Sequence, residues 1–379
     1  MSVQSQYWPL GGGLDLVSPA MSLGPGSAIL AQNFECALGG GYRRMDGYTI
    51  FDGRVSGTPL AVSGSGPIRG IWEYANVVYA FRDNAAGTAC VMHKSTTGGW
   101  VVVTTPTLVA GGFYDFLNYN FGGHSGSGKM YGCDGVNKAF QFDGTTYTQL
   151  TTGMTTDAPT HVGVHKNHLF LSFAGGSVQH SGIGDPTSWT LATGAGELGL
   201  GTEVTGLRGM QGNSLVITGE DRINILYGTS ASDWDLQSFS TVTGATERSQ
   251  AYIETGLYFF NGDDLTSMST TQSFGDFETS SISAAVNPYL KTRKDLIVGS
   301  SVNKDKNQYR LFFNDKTVLV GTIANGIVVG YTNWLLNDTP SFIAENYFGS
   351  TDGKVMKMDT GNSFNGVAIQ SFLRLAFTP

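Results

Sequence analysis

Three histidines at positions 161, 165 and 168 form the only histidine cluster in the sequence. On an extended strand His161 and His165 share a face, and beside a carboxylate they could hold a metal ion. His168 lies beyond a Lys-Asn turn and no acidic residue falls within the segment, so the pattern is short of a ligand set. Acidic turns recur at Asp134-Gly135, Asp143-Gly144, Asp263-Asp264 and Asp352-Gly353. A calcium loop places carboxylates at alternate positions and closes on a bidentate Glu, a density that none of these reaches. Asp-Gly tolerates positive φ, and hairpin turns account for them. Cys36, Cys90 and Cys133 are odd in number, far apart and without a Cys-x-x-Cys pair, which argues against a disulfide framework and a zinc site.

Residues 181–189, Ser-Gly-Ile-Gly-Asp-Pro-Thr-Ser-Trp, are superficially like the aspartate hairpin of sialidase-type propellers, but the residue order differs. A glycoside hydrolase needs two placed carboxylates, and the sequence singles out no such pair. There is no Gly-x-Ser-x-Gly elbow, phosphate-cradling loop or His-Glu-x-x-His. No catalytic residue, metal ligand or cofactor is nominated. Basic residues cluster only at Arg43-Arg44 and around Arg293-Lys294, too sparsely for a face that grips nucleic acid. These four are candidate subunit or partner contacts.

The elements that carry these side chains follow from composition and period. Of 379 residues, 22 are Lys or Arg and 30 Asp or Glu, a net charge of −8. Charged residues make up 14%, against roughly 25% in ordinary soluble domains. With 53 glycines, the chain is neither a helical bundle nor a coiled coil, and 12% aromatics exclude a disordered one. The opening MSVQSQYWPLGGG has no basic segment before an apolar run, so no secretory signal is expected. The longest apolar stretch, residues 317–336, is interrupted by Asn325-Gly326 and reads as two strands, with no membrane insertion expected.

Short β-branched or alternating runs fill residues 67–375. Seven of them, opening near Asn76, Lys129, Asn167, Asn213, Gly256, Gln308 and Asn346, occupy equivalent places in a recurring unit of about 45 residues, the length of a four-stranded propeller blade. The predicted fold is an all-β propeller of about seven blades over residues 67–379, with residues 1–66 an extended Gly-rich arm. The arm is expected to drape on a surface, with one short helical turn near Ser27–Phe34. The terminal strand, containing Phe372, Leu373 and Leu375, must be covered by the first blade, another domain or another subunit. Those three residues join the candidate partner contacts.

Several segments resemble the β-propeller of tail hub or nozzle proteins of short-tailed bacteriophages. They are Val204-Thr-Gly-Leu-Arg-Gly-Met, Ile223-Asn-Ile-Leu-Tyr-Gly-Thr-Ser, Asp233-Trp-Asp-Leu and Phe274-Gly-Asp-Phe. Gly12-Gly-Leu-Asp-Leu-Val-Ser-Pro, Leu30-Ala-Gln-Asn-Phe, Gly41-Tyr-Arg-Arg-Met-Asp-Gly and Ile369-Gln-Ser-Phe-Leu-Arg-Leu look like the arm and the end of the same family. The resemblance implies a structural virion protein of the tail, assembled in the host cytoplasm. It implies a homo-hexameric ring below the portal-adaptor ring, contacting other tail proteins and passing duplex DNA as cargo during genome ejection. The alternative is a propeller tail protein that binds or hydrolyses a host-surface glycan. Such a site would gather carboxylates and aromatics on loops of one face, whereas Trp72, Trp100, Trp189, Trp234 and Trp334 each fall in a different unit.

Overall fold

A computed structural model describes residues 10–123, 128–210, 214–254, 256–270 and 277–376, so residues 274–276 of the quoted motifs and Asn213 lie outside the described residues. Seven sheets, each built on a meander of antiparallel strands, make up a seven-bladed β-propeller. The first blade contains Ser65–Tyr74, Val77–Asp83, Ala89–Thr96 and Gly99–Val102, so Trp72 and Trp100 share a blade, against the expectation that each tryptophan falls in a different unit. The second to fifth blades open with Asp115–Tyr119, His161–His165, Val204–Met210 and Ala251–Ile253, each followed by three further strands in sequence order. The sixth begins at Ile297–Asn303 and the seventh at Pro340–Ile343.

The seven anchors read from the sequence are the second strands of the seven blades. His168–Phe173 and Gln308–Phe313 are buried at every residue, because a second strand is covered by neighbouring blades on both faces. This is why they read as continuous runs instead of alternations. Several anchors follow an Asn because the preceding turn needs positive φ: Ala75 and Asn76 lie at 50° and 62°, Lys166 and Asn167 at 46° and 62°. First strands crowd the axis, and glycines on them leave little room for a side chain. A Cβ on Gly70 would sit 2.9 Å from the Tyr114 and Phe116 side chains, and one on Gly163 2.8 Å from Leu207 Cβ.

The arm does more than drape. Tyr48–Phe51 pairs antiparallel with Val355–Met358 and supplies the fourth strand of the seventh blade, so that blade draws on chain from both sides of residue 66. The segment expected to hold a helical turn is instead the strand Ala28–Gln32. It is parallel to Ile327–Leu335 of the sixth blade on one side and antiparallel to Phe372–Leu375 on the other. Two flanking strands satisfy its backbone and buried Ala28 and Ala31 face inward, which a single helical turn could not match. The terminal strand therefore finds its partner in the chain's own arm, and not in the first blade. Leu373 and Leu375 pack against the core between the fifth and sixth blades.

Candidate functional site

The first strands surround an axial cavity of about 520 Å³. Its wall includes Trp72 of the first blade, whose indole N–H donates to Asn118 Oδ1 at 2.9 Å and whose ring stacks on Phe116 at 5.6 Å. Asp115 opens the second blade and approaches Arg208 Nη1 and His161 Nδ1, each at 3.6 Å, while the Val162 N–H donates to it at 3.2 Å. Burial alone would raise the Asp115 carboxyl, but Arg208, His161 and the Val162 N–H outweigh it and lower it to about 2. Arg248 precedes the fifth blade with φ of 63°, in the left-handed region, and lays its guanidinium 3.3 Å over the Phe113 ring. Its carboxylate partner Glu247, at 3.1 Å, is outside the cavity lining. Gln250 and Ser301 also line the cavity; both are buried, and Gln250 Oε1 and Ser301 Oγ have no hydrogen-bond partner in the chain.

A second charged cluster lies where the arm meets the sixth and seventh blades. Lys306 Nζ reaches Glu35 Oε1 at 3.0 Å, Asp46 Oδ2 at 2.8 Å and Asp359 Oδ1 at 2.6 Å. Arg310 is fully buried, donates two N–H groups to Asp359 at 2.6 and 2.9 Å and two to Gln308 Oε1, and lies 4.6 Å over Trp334. Arg43 closes the set on Glu35 at 2.9 Å. Burial alone would raise the Asp359 carboxyl, but Arg310 and Lys306 hold it well below the usual carboxylate range. Glu35 and Asp46 belong to the arm, Lys306 and Arg310 to the sixth blade, and Asp359 follows the third strand of the seventh. The cluster fastens the ring where it closes.

The expected contact residues fall on separate elements. Arg43 is engaged in this seam with its side chain half exposed, and Arg44 donates to the Asn362 carbonyl at 3.1 Å. Arg293 pairs with Asp315 at 3.0 Å and stacks on Tyr289 at 4.0 Å, while Lys294 is exposed in a single helical turn. Leu373 and Leu375 are half-buried, and Phe372 remains 52% exposed on the outermost strand of the sixth blade.

The three histidines separate. His161 faces Asp115, while His165 and His168 join His180, which lacked any local signal, around Trp234 of the fourth blade. His168 and His180 share the Ser181 carbonyl, and the Trp234 indole N–H donates to His180 Nε2 at 3.1 Å, which fixes His180 as neutral. Burial, reinforced by Lys166, lowers His165 to about 4. Among the described residues no group of three or more His, Cys, Asp or Glu side chains could hold a metal ion. The acidic turns are capped by their own chain: Asp134 accepts from the Val136 and Asn137 amides, Asp143 from those of Thr145 and Thr146.

Sequence reasoning missed the axial group. Arg208 did carry a signal, as the lone charge in the apolar first strand Val204–Met210. Arg248 had none, since its place depends on a backbone conformation no motif announces.

No protein-family model and no curated protein matches the sequence. Among solved structures, virginiamycin B lyase from Staphylococcus aureus is similar, with a TM-score of 0.55 at 12% identity, covering 79% of this chain and 97% of that one. A streptogramin B lyase has a TM-score of 0.54 at 13% identity, covering 82% and 97%. YCF48 bound to a D1 peptide has 0.51 at 8%, covering 81% and 97%. At these identities the likeness is one of fold.

Proposed function

We propose that this propeller is a structural component of the tail of a short-tailed bacteriophage, a nozzle subunit that assembles as a ring below the portal-adaptor and lets duplex DNA pass during ejection. One observation carries the reading. The segments resembling that family at the two ends of the chain lie side by side, since Ala28–Gln32 pairs with Phe372–Leu375 on the outer wall of the sixth blade. That wall ends in an edge strand bearing exposed Phe372, the kind of surface a neighbouring subunit covers.

The axial cavity of about 520 Å³ does not admit a duplex about 20 Å thick, so DNA would travel through the hole enclosed by the copies and not through a single propeller. A net charge of −8 suits passage without retention. Six copies of a 40.3 kDa chain weigh about 242 kDa. Mass photometry and cryo-microscopy of the protein with its portal-adaptor partner are expected to show that ring, and the free chain is expected to bind linear duplex no better than roughly millimolar at physiological salt. Monomers or two-fold dimers alone, in isolation and in tails, would remove the reading. Submicromolar, steeply salt-dependent DNA binding would replace it with a gripping role, and release of sugar from a bacterial polysaccharide with an enzymatic one.

A further inference from the structure

We infer that Trp234 is a lid over the histidine cluster of the third blade, and that acid opens it, freeing the last strand of the fourth blade while the rest of the propeller stays closed. The inference goes beyond the nozzle reading and does not depend on it.

One hydrogen bond of fixed direction holds the lid. An indole N–H can only donate, so His180 Nε2, 3.1 Å away, offers a lone pair, and the imidazole proton sits on Nδ1, facing the Ser181 carbonyl at 3.1 Å. A second proton, on Nε2, would set donor against donor and place a charge on a side chain only 2% exposed. The ring also has little room on that side, since a Cβ on Gly196 would come within 2.9 Å of the same nitrogen.

No carboxylate stands ready to answer that charge. Among the described residues the only ion pair of a histidine with a carboxylate is that of His161 with Asp115. The acids on the segments packed around His180 are spent elsewhere: Asp185 on Thr187, Asp233 on the Thr229 and Ser230 amides, and Asp235 on Gln237. Glu197 lies in register with Gln179 and accepts from Ser177. The other titratable neighbours are His168, its ring 5.2 Å from that of His180, together with His165 and Lys166. Burial and His168 lower His180 against the opposing pull of the Ser181 carbonyl.

The lid is the part of this packing that yields at least cost. The Trp234 ring covers His165, His168 and His180 at 5.7, 5.4 and 5.6 Å. It leads into Asp235–Ser240, which ends its sheet, pairs only with Ile223–Tyr227 and contains no buried residue. Trp234 and Leu236 are its apolar anchors, and the Gly228 backbone of the preceding turn bonds to His165. A solvent-exposed ladder with two anchors opens before His168–Phe173, buried at every residue. Opening admits water, and the open form takes up protons at His180 and His165 that the closed form refuses. The closed form is therefore favoured in full above about pH 6.5, and each proton taken up favours opening by about tenfold per pH unit below that.

The test is hydrogen exchange by mass spectrometry on the full chain at about pH 7.5 and about pH 5, corrected for intrinsic exchange, with acrylamide quenching of tryptophan fluorescence as a second readout. Residues 228–240 are expected to open at least about tenfold more at the lower pH, while Gln308–Phe313 stays protected. In His180→Gln the amide oxygen can accept the indole N–H but takes no proton, and the pH response is expected to fall several-fold with protection at neutral pH unchanged. Should that variant already be open at neutral pH, Trp234→Phe decides: it removes the opposing donor, and its opening is expected to begin at a higher pH than in the unmodified protein. Equal protection of residues 228–240 at both pH values overturns the inference, as does a loss of protection spread evenly over all blades. So does an undiminished response in a closed His180→Gln protein, or an unshifted one in Trp234→Phe.

Discussion

At the seam between the sixth and seventh blades three carboxylates, Glu35, Asp46 and Asp359, share three cations, Arg43, Lys306 and Arg310, whereas around the axis Arg208, Arg248 and Lys304 each meet a carboxylate of their own, Asp115, Glu247 and Glu345. The seam is filled: Lys306 touches all three acids, and Arg310 divides its donors between Asp359 and Gln308. The axis is open, with Arg248 stacked on an aromatic ring and the polar atoms of Gln250 and Ser301 unpaired. Charges of one kind thus serve two purposes. Where they share partners in one network they hold the arm to the ring, and where they stand in separate pairs they line a cavity.

The largest effect is expected at the seam. Arg310→Ala removes a fully buried guanidinium that donates twice to Asp359 and twice to Gln308, leaving Asp359 to Lys306 alone among the cations, and a loss of about 3–5 kcal/mol in urea unfolding is expected. A loss below about 1 kcal/mol would mean that the seam does not fasten the closure. Replacing Arg310 by Met and Asp359 by Asn together is expected to recover part of the loss, since both members of the buried charge pair are then gone and Asn tolerates the φ of 53° at residue 359.

A buried polar cluster without charge should respond to pH in a different window. His165 is neutral in the fold and lowered to about 4, so below its unfolded value near 6.5 the unfolded chain takes up a proton that the folded chain refuses. Stability is therefore expected to fall by about 3 kcal/mol as pH drops from 6.5 to 4, with Trp234 reporting the change by fluorescence. His165→Gln should flatten that slope; an unchanged slope would assign the effect to other groups.

At the axis Asp115 works in the opposite direction. Its carboxyl is lowered to about 2 from 3.8, so its contribution of about 2 kcal/mol is complete above pH 4 and disappears as pH falls from 4 to 2. Folded Arg208→Gln protein should lose much of this acid-sensitive contribution, and retaining all of it would show that His161 and the Val162 N–H suffice. The smallest effect is expected from Arg43→Ala, because a half-exposed side chain at the edge of the seam is screened by water, and denaturant unfolding should register less than about 1 kcal/mol. A larger loss would place Arg43 among the residues that close the seam.

Much of the scaffold was legible because its signals are local. Asn76 and Asn167 marked turns at positive φ, and the runs after them marked second strands enclosed on both faces. The same reasoning erred at Ala28–Gln32, whose five residues carry too little period to distinguish a strand from a turn when both pairing partners are distant in the sequence. The contact candidates Arg43 and Arg293 were chosen as exposed basic clusters and proved to be engaged within the chain. Nothing in their neighbouring residues names Glu35 or Asp315 as the partner.

Strand content, the number of blades, the turn positions and the weak acidity of the surface were determined by the sequence alone, because each depends on side-chain type, backbone preference or simple charge. Ring closure, the balanced seam and the axial site were decided by tertiary structure. Glu35 and Lys306 stand 271 residues apart, and Tyr48–Phe51 and Val355–Met358 come from opposite ends of the chain. Contacts at such separation leave no periodic trace, since what selects them is the geometry of a ring whose seventh blade takes its fourth strand from the arm.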